Sequence, residues 1–405
     1  MLTFKYTARD PSTGKKVTSQ LEAENEQAAS KLISKEGLTP IEITAKQTSS
    51  KGLGRFLHRI KAKDKVLFSR QLATLINAGL PLVQSLRNVV HQTPNKKFQV
   101  IINAVIADVE AGTSFSAALA RHPEAFDEVF VNLVAAGEAS GTLDKALERI
   151  ANQKEKDAAI MSKVRGAMVY PIIVMLVMTA VVIFMVVKVL PAVEVVYQDI
   201  PGAELPIVTR ILLWFAHFTI RFWWLELIVL GLFIVFTTRW ARTLGGKRTI
   251  DSLKMHAWPI GPLFMKLYMA RFSRVGATLI GSGVPLIQML DITAKAVNNV
   301  HVGESITKAA EKVKGGKALS EALKGDPNFL ELVPDMLRIG EQSGSIEQMM
   351  SKTADYYENE VDNQIRAIST TIEPVLMILM GLVAILIVTA VLLPVYSLVG
   401  SDLLN

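Results

Sequence analysis

Gly137-Glu138-Ala139-Ser140-Gly141 sets a carboxylate and a hydroxyl between glycines, and it recurs as Gly340-Glu341-Gln342-Ser343-Gly344. A serine among glycines invites comparison with an acyl-transfer nucleophile, but a nucleophile elbow needs Gly-x-Ser-x-Gly, with the serine centred. Here it stands off-centre. A helix–helix turn explains the same residues, with glycine at a C′ position of one helix and serine at an N-cap. The functional alternative is a partner-contacting corner at Glu138, Ser140, Gly141, Glu341, Ser343 and Gly344. Phosphate chemistry of the P-loop kind needs Gly-x4-Gly-Lys-Ser/Thr, whose backbone amides cradle phosphates. Gly245-Gly246-Lys247-Arg248 and Gly315-Gly316-Lys317-Ala318 lack the hydroxyl and the first glycine. The histidines, at 58, 91, 122, 217, 256 and 301, never approach each other at metal-ligand spacing, so no metal site is expected. With no cysteine in the chain, thiolate catalysis and disulfides are excluded. Glu226 is the one charge well inside an apolar run. An intramembrane carboxylate raises a transport alternative, weakened by its closeness to Trp223, Trp224 and Arg221. No catalytic residue, cofactor or metal is expected, and the chain reads as a non-enzyme.

The elements that carry these residues occur twice. Residues 68–86, from Phe68-Ser69-Arg70 through Gly79-Leu80-Pro81-Leu82 to Leu86, return at 272–290, from Phe272-Ser273-Arg274 through Gly283-Val284-Pro285-Leu286 to Leu290. At an offset of 204 (272 − 68), 12 of these 19 positions are identical. The register continues through Gly112/Gly316, Ser116/Ser320 and Leu119/Leu323, then drops to 203 at the Gly-Glu-x-Ser-Gly motifs. The shorter offset also pairs Tyr170-Pro171 with Glu373-Pro374, and Leu190-Pro191 with Leu393-Pro394. Between each pair of prolines lies an apolar run long enough to cross a bilayer. Half of the 405 residues are hydrophobic and mean hydropathy is +0.33, too apolar for an ordinary soluble chain. The expected fold class is mainly α: a polytopic membrane protein with two homologous cytoplasmic helical bundles, three transmembrane helices and a small α+β N-terminal unit.

In chain order, residues 1–45 form the α+β unit. Alternating Phe4, Tyr6 and Ala8, the turn Asp10-Pro11-Ser12-Thr13-Gly14, and alternating Val17, Ser19 and Leu21 predict a hairpin. A helix from Asn25 to about Glu36 and a third strand over 39–44 follow. Residues 46–65 carry Lys46, Lys51, Arg55, Arg59, Lys61, Lys63 and Lys65 beside an apolar stripe, and read as a basic linker or an interfacial helix. Residues 66–167 read as the first bundle, with Asn95 and Ser114 as N-caps. Its last helix is expected to continue past Pro171 into a span at 168–190, with Lys188 snorkelling at the end. Residues 191–217 form an extracytoplasmic loop, 218–238 a second span, 239–265 a basic connector, 266–370 the second bundle, 371–396 a third span and 397–405 a short extracytoplasmic tail.

Charge sets the expected orientation. Lys154, Lys156, Lys163 and Arg165 precede the first span, and Arg239, Arg242, Lys247, Arg248 and Lys254 follow the second. The positive-inside rule places the N-terminus and both bundles in the cytoplasm. It also accounts for the net charge of +7 without nucleic acid. The N-terminus has no apolar core of a signal peptide, so insertion is expected to be directed by the internal segments.

The duplicated Phe-Ser-Arg…Gly-x-Pro-Leu block, the duplicated Gly-Glu-x-Ser-Gly corner and the two proline positions together resemble the type II secretion system F-protein and type IV pilus assembly PilC family. The resemblance covers essentially the whole chain. It implies a non-enzymatic platform in the bacterial inner membrane beneath a growing pilus or pseudopilus. The implied partners are a cytoplasmic hexameric assembly or retraction ATPase, pilin subunits, other inner-membrane alignment proteins and the bilayer. Self-association, plausibly as a dimer, is also implied. ATPase contact would fall on the corners at Glu138 and Glu341, and Pro171 and Pro374 would be bend points. The Tyr356-Tyr357-Glu358-Asn359-Glu360-Val361-Asp362 run and the N-terminal unit favour a pilus system. A type II secretion platform is the alternative within the family, and a small transporter the alternative outside it.

Overall fold

In the computed structural model, the described residues are 2–9, 16–23, 30, 32–34, 37, 39–45, 60–198, 207–258 and 260–402. They divide between two units, Met1–Arg59 and Ile60–Asn405. In the first, β1 (Leu2–Arg9) pairs antiparallel with β2 (Lys16–Ala23) and β3 (Thr39–Ala45), giving the order β2-β1-β3. The β1–β2 register runs from Leu2 opposite Ala23 to Arg9 opposite Lys16, as the alternation requires. Residues 30 and 32–34 are helical, and Ile33 packs with Tyr6 and Ala8. The expected turn at 10–14, most of the 25–36 helix and the 46–59 part of the basic stretch lie outside the described residues.

The second unit holds the duplication as two sets of six helices. The first set is α1 (Ala62–Asn77), α2 (Leu82–Gln92), α3 (Lys96–Glu110), α4 (Phe115–Ala120), α5 (Glu128–Ser140) and α6 (Leu143–Phe184). A π-helical turn, Met185–Val189, leads into α7 (Leu190–Gln198). Pro191 has no N–H, which frees the carbonyl four residues before it and accounts for the widened turn. Next come α8 (Ile207–Trp240) and α9 (Leu244–His256). The second set is α10 (Gly261–Gly281), α11 (Leu286–Ala296), α12 (Val300–Lys314), α13 (Leu319–Leu323), α14 (Leu332–Ser343) and α15 (Ile346–Asp402).

Local chemistry starts these helices where the sequence places the caps. The Asn95 side chain accepts from the Phe98 N–H and that of Ser114 from the Ala117 N–H. Asp127 and Asn299 act likewise for α5 and α12. A single apolar core runs through both bundles. Its first half centres on Phe68, Phe98, Phe126 and Phe130, with neighbouring ring centroids 5.1–6.3 Å apart. The second half keeps Phe272 and Phe329, 5.1 Å apart, at the positions equivalent to Phe68 and Phe126.

Among the described residues, three helices are long and apolar enough to cross a membrane, within Leu143–Val195, Leu213–Trp240 and Ile346–Leu392. Two of them are direct extensions of the bundles. At 1.5 Å per residue, α6 is about 63 Å long and α15 about 86 Å, each well over one bilayer thickness. The connection expected at 191–217 is helical at both ends, because α7 continues past Leu190 and α8 begins at Ile207, before the expected start of the second span. Ile207, Ile211 and Leu213 carry the apolar pattern back to that point. Similarly, the expected connector at 239–265 contains α9 and the start of α10, and the helix of the third span runs to Asp402.

Candidate functional site

The duplicated corner is built the same way in both bundles. The Glu138 carboxylate turns back onto the N-terminus of α4. Its Oε1 accepts from the Phe115 N–H at 2.6 Å, and its Oε2 accepts from the Ser116 N–H at 2.9 Å and the Ser116 hydroxyl at 2.5 Å. Glu341 repeats this at α13, accepting from the Leu319 N–H at 2.6 Å and the Ser320 hydroxyl at 2.5 Å. Four unsatisfied amides and the positive end of the helix dipole make such a terminus a natural seat for a carboxylate. The remaining residues of the motif shape the corner itself. Gly141 and Gly344 close α5 and α14 with φ of 70° and 68°, a left-handed conformation that costs glycine little. Gly137 and Gly340 permit close packing: a Cβ on Gly137 would lie 2.6 Å from the Ala146 Cβ, and one on Gly340 2.9 Å from the Ile346 Cα. The expected serine N-caps are not formed: Ser140 and Ser343 are the last residues of α5 and α14, and their hydroxyls donate back to the carbonyls of Ala136 and Ile339, each at 2.7 Å. All eight of these residues take part in the corner's own geometry. No nucleophile–base pair is formed by either serine, whose side-chain partners are Thr142 and Ser345.

Each long helix is clamped to the first helix of its bundle by an arginine from the repeated block. Arg70 donates to Glu148 and Glu155, both at 2.6 Å, and to Asn152. Arg274 donates to Glu358 at 2.7 Å and pairs with Asp355. Burial alone would lower the Arg274 pKa, but the Glu358 and Asp355 bonds outweigh it and leave it raised. The two clamps differ in exposure. The Arg70 side chain is 31% exposed and Arg274 only 16%. Arg274→Met therefore leaves Glu358 in a drier setting. The expected loss is about 2–3 kcal/mol, against about 1 kcal/mol for Arg70→Met, as read by thermal unfolding of the two variants.

Ion pairs also cross between the repeats. Lys156 on α6 reaches Asp355 at 3.2 Å and Glu358 at 3.0 Å on α15, and Lys163 reaches Asp362 at 2.5 Å. Arg149 is 3.6 Å from Glu347 and donates to the Ser282 hydroxyl at 3.3 Å. Where the paired helices approach the apolar section, Val361 and Ile365 pack with Leu263, Ile160 and Val164. Farther along, Met185, Leu190 and Leu213 cluster with Ile387 and Val391 from the third span.

Pro171 lies inside α6 and is buried, and α15 runs through Pro374. Neither proline interrupts its helix. The non-helical backbone inside a long helix is at Phe222 in α8, with φ −118° and ψ 21°. Glu226 sits one turn beyond that break. His217 pairs with Glu194 at 3.1 Å, joining α8 to α7. Among the described residues, no group of three or more His, Asp or Glu side chains is arranged to hold a metal ion.

Arg70 and Arg274, with Glu155 and Glu358, carry the bundle-to-helix clamp that motif reading passed over. The signal was present, since both members survive in both copies at the repeat offsets. The crossing pairs had no such signal, because Lys156 and Lys163 are not repeated: the equivalent residues are Asn359 and Arg366.

Comparison with known proteins covers the whole of this architecture. A family model described as "Type II secretion system (T2SS), protein F" matches residues 68–191 and 272–394. A second, "Type II secretion system protein F, N-terminal domain", matches residues 1–44. The "Type IV pilus assembly protein PilC" of Thermus thermophilus is 38% identical over 410 residues, covering 99% of both chains. The protein of the same name from Myxococcus xanthus is 35% identical, covering 98% of this chain and 95% of its own. The "Type II secretion system protein F" of Pseudomonas aeruginosa is 33% identical, covering 98% and 99%.

Proposed function

The chain belongs to the type II secretion system protein F family, and from that premise we propose that it is the inner-membrane platform of a type IV pilus assembly machine. Two pilus-assembly relatives match at 38% and 35% identity, and a secretion-system relative at 33%, each over nearly the whole chain, which supports the pilus reading. The observation that carries the mechanism is the unbroken passage of each bundle into a membrane-crossing helix, α6 for the first and α15 for the second. A load applied to a bundle reaches the bilayer through hydrogen-bonded helix, with no slack linker between.

In this reading both bundles and the N-terminal unit face the cytoplasm, an orientation supported by the basic residues flanking the spans. A cytoplasmic ATPase acts on the bundles, pilin subunits leave or enter the bilayer beside the spans, and the platform works as a homo-oligomer. The chain itself performs no catalysis. The corners at Glu138 and Glu341 hold α4 and α13 in place, and any ATPase contact there uses their exposed neighbours Ala139 and Gln342 rather than the carboxylates. The high identity to the secretion protein supports a second reading, a platform for a pseudopilus.

Deleting the chain from its host separates the two. Loss of surface fibres by electron microscopy with normal secreted proteins is the expected result. Loss of secretion with fibres intact would favour the second reading, and neither defect would reject both.

A further inference from the structure

Both ends of α9 are fixed beside the apolar sections of the long helices. Only Ala241 and Arg242 separate Trp240, the last residue of α8, from Thr243, whose side chain caps α9 by accepting from the Gly246 N–H. A Cβ on Gly246 would lie 2.0 Å from the Trp240 carbonyl oxygen, so the first turn of α9 sits against the end of α8. At the other end, α10 starts at Gly261, and Leu263 in its first turn belongs to one cluster with Ala167 of α6 and Ile368 of α15. Those two residues stand in the last turns before the apolar runs of their helices. Held at both ends on this boundary, the 13 residues of α9, about 20 Å of helix, lie along the membrane surface.

One side of α9 is committed to the second bundle. Asp251 and Met255 are buried, and the Asp251 carboxylate accepts from Lys254 at 3.2 Å and from the Val300 N–H of α12 at 3.1 Å. The opposite side, with Thr249, Leu253 and His256, is exposed. Leu253 is 64% exposed, Leu244 at the start of α9 87%, and Trp258 just past its end 80%. Leucine and tryptophan side chains at an apolar boundary, flanked by cations, mark a helix that lies in a headgroup layer. The cations are present and unequally used. Arg248 pairs with Glu304 and Lys254 with Asp251, but the side chains of Arg239, Arg242 and Lys247 make no hydrogen bond or ion pair among the described residues.

We propose that α9 is an interfacial helix that binds anionic phospholipid. Leu244, Leu253 and Trp258 enter the headgroup layer, and Arg239, Arg242 and Lys247 pair with lipid phosphates. The inference rests on reading the three apolar helices as spans, and not on what the platform assembles. Because Asp251 also holds the start of α12, lipid bound along α9 ties the second bundle to the leaflet at a point separate from the long helix α15.

The chain has no cysteine, so one introduced thiol is unique. A fluorophore on Thr249→Cys reads the exposed side of α9. One on Ala139→Cys is the reference, because α6 runs about 37 Å from Leu143, beside that corner, to Met168, where its apolar section starts. The full-length protein is reconstituted in phosphatidylcholine vesicles that carry, at equal mole fraction, phosphatidylglycerol or phosphatidylcholine spin-labelled high on the acyl chain. Quenching at residue 249 is expected to be at least about fivefold stronger from the labelled phosphatidylglycerol, the attraction of one cation to an anionic surface. Residue 139 should be quenched by neither. Arg242→Gln combined with Lys247→Gln should cut the preference severalfold with the melting temperature unchanged, since both side chains are exposed and unpaired. Equal quenching by the two lipids, quenching at residue 249 no greater than at residue 139, or a preference unchanged in the double variant would overturn the inference. So would loss of the preference on adding inorganic phosphate at matched ionic strength, which would assign these cations to a free anion. A fluorophore on Val177→Cys, within the first span, should be quenched by both lipids whatever α9 does, so a failure of α9 stays distinct from a failure of the spans. No fibre is counted, and the pilus reading stands or falls separately.

Discussion

Glu138→Ala and Glu341→Ala are each expected to destabilise the protein by about 3 kcal/mol, and the double variant by about twice that. Glu138 accepts three hydrogen bonds from α4, two of them from backbone amides that have no intrahelical partner. Bonds to an ionised acceptor are worth about 1.5–3 kcal/mol each, and the helix dipole adds a few tenths; because the three bonds share one carboxylate, the total falls below their sum. The two corners share no partner, so their effects should add. For a helical unit of this size, 3 kcal/mol corresponds to a melting temperature lower by about 6–12 °C per site. Charge reversal to lysine should cost more, because it puts a cation at the positive end of a helix. Ala139→Lys and Gln342→Lys, on exposed residues of the same corners, should leave the melting temperature unchanged. The comparison matters for function: a defect in fibre assembly from Glu138→Lys reports a damaged bundle, whereas one from Ala139→Lys at normal stability reports a lost contact. An unshifted melting temperature in Glu138→Ala would show that the carboxylate is not holding α4.

The duplication made most of this architecture legible. Two copies at offsets of 204 and 203 supply the helix order and mark the residues that both bundles need. Gly141 and Gly344 stand in the same backbone conformation, as do Gly79 and Gly283, with φ of 83° and 84°. The role of the corner was only half legible. A glycine stop can be read from local pattern, but Glu138 acts on Phe115 and Ser116, 22 or more residues away, and only the fold brings them together. Bounds were least readable around the second span. Ile207 to Leu213 continue an apolar helix that Arg210 interrupts in a hydropathy window, and the backbone break at Phe222 has no proline or glycine to announce it. Pro171 and Pro374 stand within helices that continue on both sides of them. The crossing pairs of Lys156 and Lys163 arise where the repeats differ. Internal comparison of the copies is blind to such places.

The largest functional effect is expected from softening the helices between bundle and bilayer. Residues Ala167-Met168-Val169-Tyr170 of α6 lie between the Lys163–Asp362 pair and the apolar span. Their equivalents on α15 are Thr370-Thr371-Ile372-Glu373. Glycine costs about 1 kcal/mol per residue against alanine in a helix interior, so four glycines withdraw about 4 kcal/mol of helix preference from each link, whereas four alanines keep it. Neither change touches the corners, the Arg70 and Arg274 clamps or the crossing ion pairs. Both bundles should therefore fold and the chain should still insert. The decisive measurement is the count of surface fibres by electron microscopy in cells carrying the tetraglycine or the tetra-alanine version of both links, at matched membrane levels. If the platform transmits force through continuous helices, the alanine version assembles fibres and the glycine version assembles almost none. Equal fibre numbers in the two would contradict that account.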